Sequence, residues 1–189
     1  FCTLLNSHTQ THLQNTHTNV YIYTYIMARK KFVKRRMCNE AAPRYHTHVA
    51  LSIMYTGSAF RGLQLQTHCP THHTVEGVLI QALTNLGLIR ALQRGKPHDN
   101  VHHLARACRT DRGVHAIRNV ITLFLPTNKL DALGGVAALH HALNMQLPAS
   151  VRVGCVNQVT GNFMPRHCCN RRVYRYLIPV YALLPRCDS

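Results

Sequence analysis

Between residues 47 and 158 the apolar residues switch between strand-like and helix-like spacing in a set order, and this order constrains the fold more than any other feature. Val49, Leu51, Ile53 and Tyr55 recur at every second position, with Ala50, Ser52 and Met54 between them. Thr56-Gly57-Ser58 ends the run with turn-forming residues. Thr74 then stands where a helix cap belongs, ahead of Val75, Val78, Leu79, Ala82, Leu83 and Leu86 at helical spacing. Glu76 complements the dipole of the first turn and Gly87 is a stop. Strand-like runs are expected at 103–108 and 118–125. Pro126 and Asn128 lead into a helix over about 129–144, carrying Leu130, Leu133, Ala137 and Leu143, with Gly134-Gly135 as a weak point in it. After Leu147-Pro148, Val151, Val153 and Cys155 alternate once more.

The order is β-α-β-β-α-β, which predicts an α+β fold: a ferredoxin-like domain with an antiparallel sheet. A further strand at 173–180 begins a second unit of similar kind. The expected division is a basic N-terminal segment over 1–46, disordered or artefactual, a first domain over 47–160, and the start of a truncated second domain over 161–189. Residues 1–26 are rich in Thr, His and Asn without apolar periodicity, although Tyr, Ile and Thr alternate between Val20 and Met27. Met27 looks like a more natural start, being followed by Ala28 and the basic run Arg29 to Arg36. That run reads as a solvated tail, a nuclear address or the head of a mitochondrial presequence. An intracellular location follows, with nucleus and mitochondrion both open. No repeat at a solenoid period is present.

Charge narrows the partner. The chain has 22 Lys and Arg against 6 Asp and Glu, a formal net charge of +16. Such an excess attracts nucleic acid or an anionic membrane surface and says nothing about fold. Apolar residues make up 46%, too many for a disordered basic tail. No apolar run approaches the ~20 residues of a spanning helix, so membrane insertion is not expected. The 8 cysteines are scattered and follow no secretory signal, which reads as reduced thiols. His68, Cys69, His72 and His73 are metal-ligating types, but a second ligand pair at zinc-finger spacing is missing and Pro70 interrupts them. No metal and no cofactor is expected.

The acidic residues are Glu40, Glu76, Asp99, Asp111, Asp131 and Asp188. Glu76 and Asp131 fit helix first turns, and Glu40, Asp99 and Asp188 fall in polar or terminal segments. Asp111 differs. It lies between two strand-like runs in Arg109-Thr110-Asp111-Arg112-Gly113-Val114-His115-Ala116, with an arginine on each side. Flanking cations favour the ionised carboxylate. A carboxylate kept charged suits a nucleophile or a stabiliser of positive charge at a sugar carbon. A surface Arg–Asp–Arg network in a hairpin connection accounts for the same residues.

Arg166 through Tyr176 form a second constellation. In a strand Arg172, Tyr174 and Tyr176 share one face, while Val173, Arg175 and Leu177 share the other. Arginine beside tyrosine offers a phosphate its counter-charge and a base its stacking platform. Ordinary aromatic packing on an exposed strand is the competing reading.

Arg109 to Ala116 resembles the signature loop of TruA-type tRNA pseudouridine synthases. Tyr55 to Gln64 resembles that family's first strand-turn, Thr74-Val75-Glu76-Gly77 its first helix start, and Asn144-Met145-Gln146-Leu147-Pro148 its Asn-x-x-Leu-Pro segment. Phe163 to Arg166 with Arg172 to Tyr176 resembles the entry into its second domain. The matches keep the family's order and spacing from about 47 to 185.

The resemblance implies that uridines in tRNA are isomerised to pseudouridine, without metal or cofactor. Asp111 matches the catalytic aspartate, and Tyr174 the tyrosine that packs against the target base. Arg109 matches the arginine that takes the base's place in the RNA helix or orders the flipped nucleotide. Arg166 and Arg172 match basic positions along the cleft. Gly62-Leu63-Gln64 stands where bacterial members carry Gly-Trp-Gln, and Arg112 where they carry Ala, so the chain looks more like the eukaryotic branch. The resemblance also implies a cleft between two domains, so 189 residues alone are expected to turn over weakly or not at all. A catalytically idle RNA-binding fragment of the same fold is the alternative. A ribosomal or chaperone-like basic protein stands behind both.

Overall fold

The computed structural model describes residues 10–13, 20–28, 46–66, 70–90 and 103–179, the first two segments by their backbone. In chain order the elements are β1 (Gln10–Leu13), β2 (Val20–Ala28), β3 (His46–Tyr55), α1 (Val75–Asn85), β4 (Ala105–Arg106), β5 (Ala116–Pro126), α2 (Thr127–Ala132), α3 (Gly135–Gln146), β6 (Val151–Gln158), α4 (Pro165–Cys168) and β7 (Arg171–Pro179). Short 3-10 turns lie at Gly57–Ala59 and Thr71–His73. The described backbone falls into two compact units, one holding β1, β2 and β7 and the other running from β3 to α4.

The larger unit is ferredoxin-like. Its sheet has the order β4-β5-β3-β6 with every neighbouring pair antiparallel, so β3 is central and β6 lies at one edge. This is the β-α-β-β-α-β arrangement that the periodicity predicts. Val49, Leu51, Ile53 and Tyr55 of β3 are buried with Ile121, Leu123 and Leu125 of β5 and Val151 and Val153 of β6. Leu79 and Leu83 of α1 and Leu139 and Leu143 of α3 complete the same core. Each such side chain contributes roughly 1.5–3 kcal/mol of transfer free energy. The start of β3 is buried on both faces, because His48 stacks on Phe124 with ring centroids 4.1 Å apart. His48 Nδ1 also lies 2.7 Å from the Thr160 carbonyl oxygen.

Helix α1 begins as its sequence predicts. Thr74 is extended, and its Oγ1 accepts a hydrogen bond from the Gly77 amide at 3.2 Å. Two elements differ from the reading of the sequence. The run at 103–108 yields only Ala105–Arg106 as strand. Beyond it the Ala107 amide still bonds the Val120 carbonyl, but the Cys108 carbonyl accepts from the Asn119 side chain, which ends the ladder. The helix at 129–144 is two helices, α2 and α3, divided where Gly134 and Gly135 take φ of 103° and 81°. That backbone is open to glycine and incompatible with a continuous helix.

The smaller unit is an antiparallel sheet of order β1-β2-β7. The N-terminal composition gave no element there, yet β2 pairs with β7 along its length. Tyr23 stands opposite Tyr176, Tyr25 opposite Tyr174 and Met27 opposite Arg172 in this register. The β-branched and aromatic alternation from Val20 to Met27 suits a strand.

Candidate active site

Asp111 sits on a turn that connects β4 to β5. The Val114 amide bonds the Asp111 carbonyl at 3.2 Å, and Gly113, third of the four residues, has φ of 79°. The Asp111, Arg112 and Arg109 side chains are exposed. The arginine-flanked ion network open to the sequence is not closed: among the described residues the salt bridge formed is Arg106 to Glu76, and Asp111 has none. Its carboxylate therefore stays open to a ligand within a basic surround.

The turn is held against the segment 57–63. The Leu63 amide donates to the Thr110 carbonyl at 3.1 Å, and the Gly113 amide to the Phe60 carbonyl at 3.2 Å. Tyr55 Oη and Thr110 Oγ1 are 2.7 Å apart. Burial pushes the Tyr55 phenol above its ordinary range, although its bonds to Thr110 and Asn119 pull it back in part. Gly57 lies so close beneath the turn that a Cβ there would overlap the Val114 carbonyl oxygen. The same segment reaches the start of α1, where the Val75 and Glu76 amides donate to the Gly62 and Leu63 carbonyls at 3.3 and 3.0 Å. It also reaches the start of β6, through the Thr56 amide and the Ser150 carbonyl at 2.9 Å. Three stretches singled out in the sequence, around residues 55–64, 74–77 and 109–116, are thus joined by hydrogen bonds, and the first also reaches Ser150, two residues beyond the fourth stretch at 144–148.

Glu76 is more than a complement to the helix dipole. It is buried, its Oε1 is 2.5 Å from Arg106 Nε, and its Oε2 accepts from the Leu65 amide at 2.9 Å. Burial pushes its carboxyl up, while the charges of Arg106 and Arg109 and the Leu65 amide pull it down by less. Sequence reasoning missed Glu76, Tyr55 and Thr110. The first had a signal, an acidic residue amid apolar neighbours; the bond between the other two joins residues far apart in the chain.

The remaining expected site residues are divided between the units. Arg166 is exposed on α4, which lies against β4 and β5, the strands that carry the Asp111 turn. Arg172 and Tyr174 are half-buried on β7 in the smaller unit, alternating with exposed Val173 and Arg175. Among the described residues no three His, Cys, Asp or Glu side chains gather as for a metal ion; His68 and Cys69 lie outside them. No helix among the described residues is long and apolar enough to cross a membrane.

No family model matches the chain. Curated relatives do. The chain is 36% identical over 137 residues to tRNA pseudouridine synthase 1 of Schizosaccharomyces pombe, covering 72% of this chain and 23% of that protein. It is 33% identical over 156 residues to tRNA pseudouridine synthase 2 of the same organism, covering 82% of this chain and 32% of that protein. It is also 34% identical over 130 residues to tRNA pseudouridine(27/28) synthase of Saccharomyces cerevisiae, covering 69% of this chain and 32% of that protein. The chain spans between 23% and 32% of the length of these relatives. Similarity over more than two thirds of the chain, together with a ferredoxin-like sheet, makes the chain a member of the TruA-type tRNA pseudouridine synthase family, in its eukaryotic branch.

Proposed function

We propose that this chain supplies the catalytic aspartate of an enzyme that isomerises uridines of tRNA to pseudouridine. The observation that carries the reading is Asp111, an exposed carboxylate with no salt bridge among the described residues, on a turn whose backbone is bonded to the 57–63 segment. A carboxylate on a tethered turn among exposed arginines suits attack on C1′, or stabilisation of positive charge there. The C1′–N1 bond breaks, uracil turns in place, a C1′–C5 bond forms, the C5 proton passes to solvent, and N1 takes up a proton. The base must first leave its stack, at a cost of a few kcal/mol, which phosphate contacts and stacking in the pocket offset. In this reading Arg109 orders the flipped nucleotide, Tyr174 packs on the base, and Arg166 and Arg172 hold phosphates.

Tritium release from tRNA labelled at uridine C5 tests it. Weak release by the chain, abolished in Asp111→Asn with tRNA affinity kept, is the expected result. Undiminished release by Asp111→Asn would overturn it. Equal tRNA binding with and without Asp111, and no release from either form, would mark an RNA-binding unit instead.

A further inference from the structure

We infer that Glu76 is a positioning residue for the Asp111 turn, acting through a buried link between the start of α1 and the strand that leads into the turn. The inference rests on the proposed role of Asp111 only for its catalytic consequence; the mechanical link stands on geometry alone. Glu76 ties two stretches of this site, 63–65 and β4, to the start of α1 through its amide and its two carboxylate oxygens. Its amide donates to the Leu63 carbonyl at 3.0 Å, and the Leu63 amide in turn donates to the Thr110 carbonyl, next to Asp111. Its Oε2 takes the Leu65 amide at 2.9 Å. Its Oε1 meets Arg106 on β4, three residues before Arg109.

The other side of that strand is already engaged. Ala105 and Arg106 pair with Thr122 and Ile121 of β5, and the Ala107 amide bonds Val120. The β4 ladder is short, since it ends at Cys108, before the turn. Glu76 supplies a second anchor to that strand, from a helix whose own position is set by the core. A charged pair with one carboxylate so deeply buried is a costly way to gain stability, because desolvation opposes the attraction. It nonetheless ties two segments together by charge.

The test combines amide hydrogen exchange with tritium release, on Glu76→Gln and on the neutral pair Glu76→Gln/Arg106→Met. Glutamine keeps an acceptor for Leu65 and removes the ionic link. The expected result is exchange at least about tenfold faster at the Leu63 and Gly113 amides, which bond Thr110 and Phe60. Exchange at Leu51 and Leu123 in the central strands should be unchanged. Should Glu76→Gln fold poorly, the double variant, in which no buried charge is left alone, should regain central-strand protection while the turn amides stay fast. Turnover at saturating tRNA should fall with the KM for tRNA little altered. Turn amides as protected as in the wild type, or a uniform loss of protection in both variants, would overturn the inference. The exchange readout needs no activity, so failure of the Asp111 reading would show separately, as tritium release indifferent to Asp111.

Discussion

Tyr55 and Thr110, separated widely in sequence, share a hydrogen bond of 2.7 Å between their hydroxyl groups. The bond ties the last residue of the central strand β3 to the residue immediately before Asp111. Tyr55→Phe keeps the ring in the core and strands the Thr110 hydroxyl. The expected cost is about 1 kcal/mol, measured as a lower urea midpoint, together with a several-fold loss of tritium release. A variant with unchanged turnover would show that the turn does not need this tether.

Gly57 tests the same junction by crowding. A methyl group there would run into the Val114 carbonyl oxygen, and both partners in that clash are backbone-fixed. Gly57→Ala should destabilise by about 1–3 kcal/mol, the usual cost of overpacking. Ser58→Ala, at an exposed neighbour, serves as the control and should leave the urea midpoint unmoved.

His48 gives the larger unit a pH dependence. Burial lowers its pKa from the ordinary 6.5; the Thr160 carbonyl opposes this and the His103 charge adds to it. A lowered imidazole contributes stability that is present above pH 6.5 and is lost as pH falls through the folded-state value. The urea midpoint should therefore drop between neutral and mildly acidic pH, and His48→Phe should flatten that drop. A His48→Phe profile parallel to that of the wild type would remove His48 as the cause.

The exposed arginines beside Asp111 make a prediction about salt. Arg109→Ala and Arg112→Ala should each weaken tRNA binding and reduce the slope of log affinity against log salt by about one for each phosphate no longer neutralised. The thermal midpoint should hardly change, because both side chains are exposed and stand outside the Arg106–Glu76 ion pair. A slope unchanged in both variants would take these arginines out of the RNA-binding surface.

What the sequence revealed depended on how local the cause was. The Thr74 cap and the alternation in β3 are set by near neighbours, and both stand in the structure as read. The sheet order followed from counting elements, since the connection rules allow few other arrangements. The break between α2 and α3 was signalled by Gly134-Gly135 but not placed, because glycine weakens a helix without always ending one. The shortness of β4 was hidden: the Cys108 carbonyl goes to the Asn119 side chain, a choice only the folded chain can make. At the site, the Asp111 turn was legible from its arginines and glycine, whereas the residues that fix it, Tyr55, Leu63 and Glu76, owe their roles to partners across the fold.

One consequence belongs to Asn144. Its side chain receives the Val153 amide and gives its own NH2 to the Val153 carbonyl, each at 2.9 Å, with His140 Nε2 also 3.0 Å from that carbonyl. Val153 lies in β6, the strand at the rim of the sheet. An amide side chain thus imitates the next strand at that point, occupying the groups through which a stray chain would otherwise add itself to the sheet. A short stretch that reads in the sequence as a family signature thus also takes up the backbone groups of Val153 at the rim of the sheet.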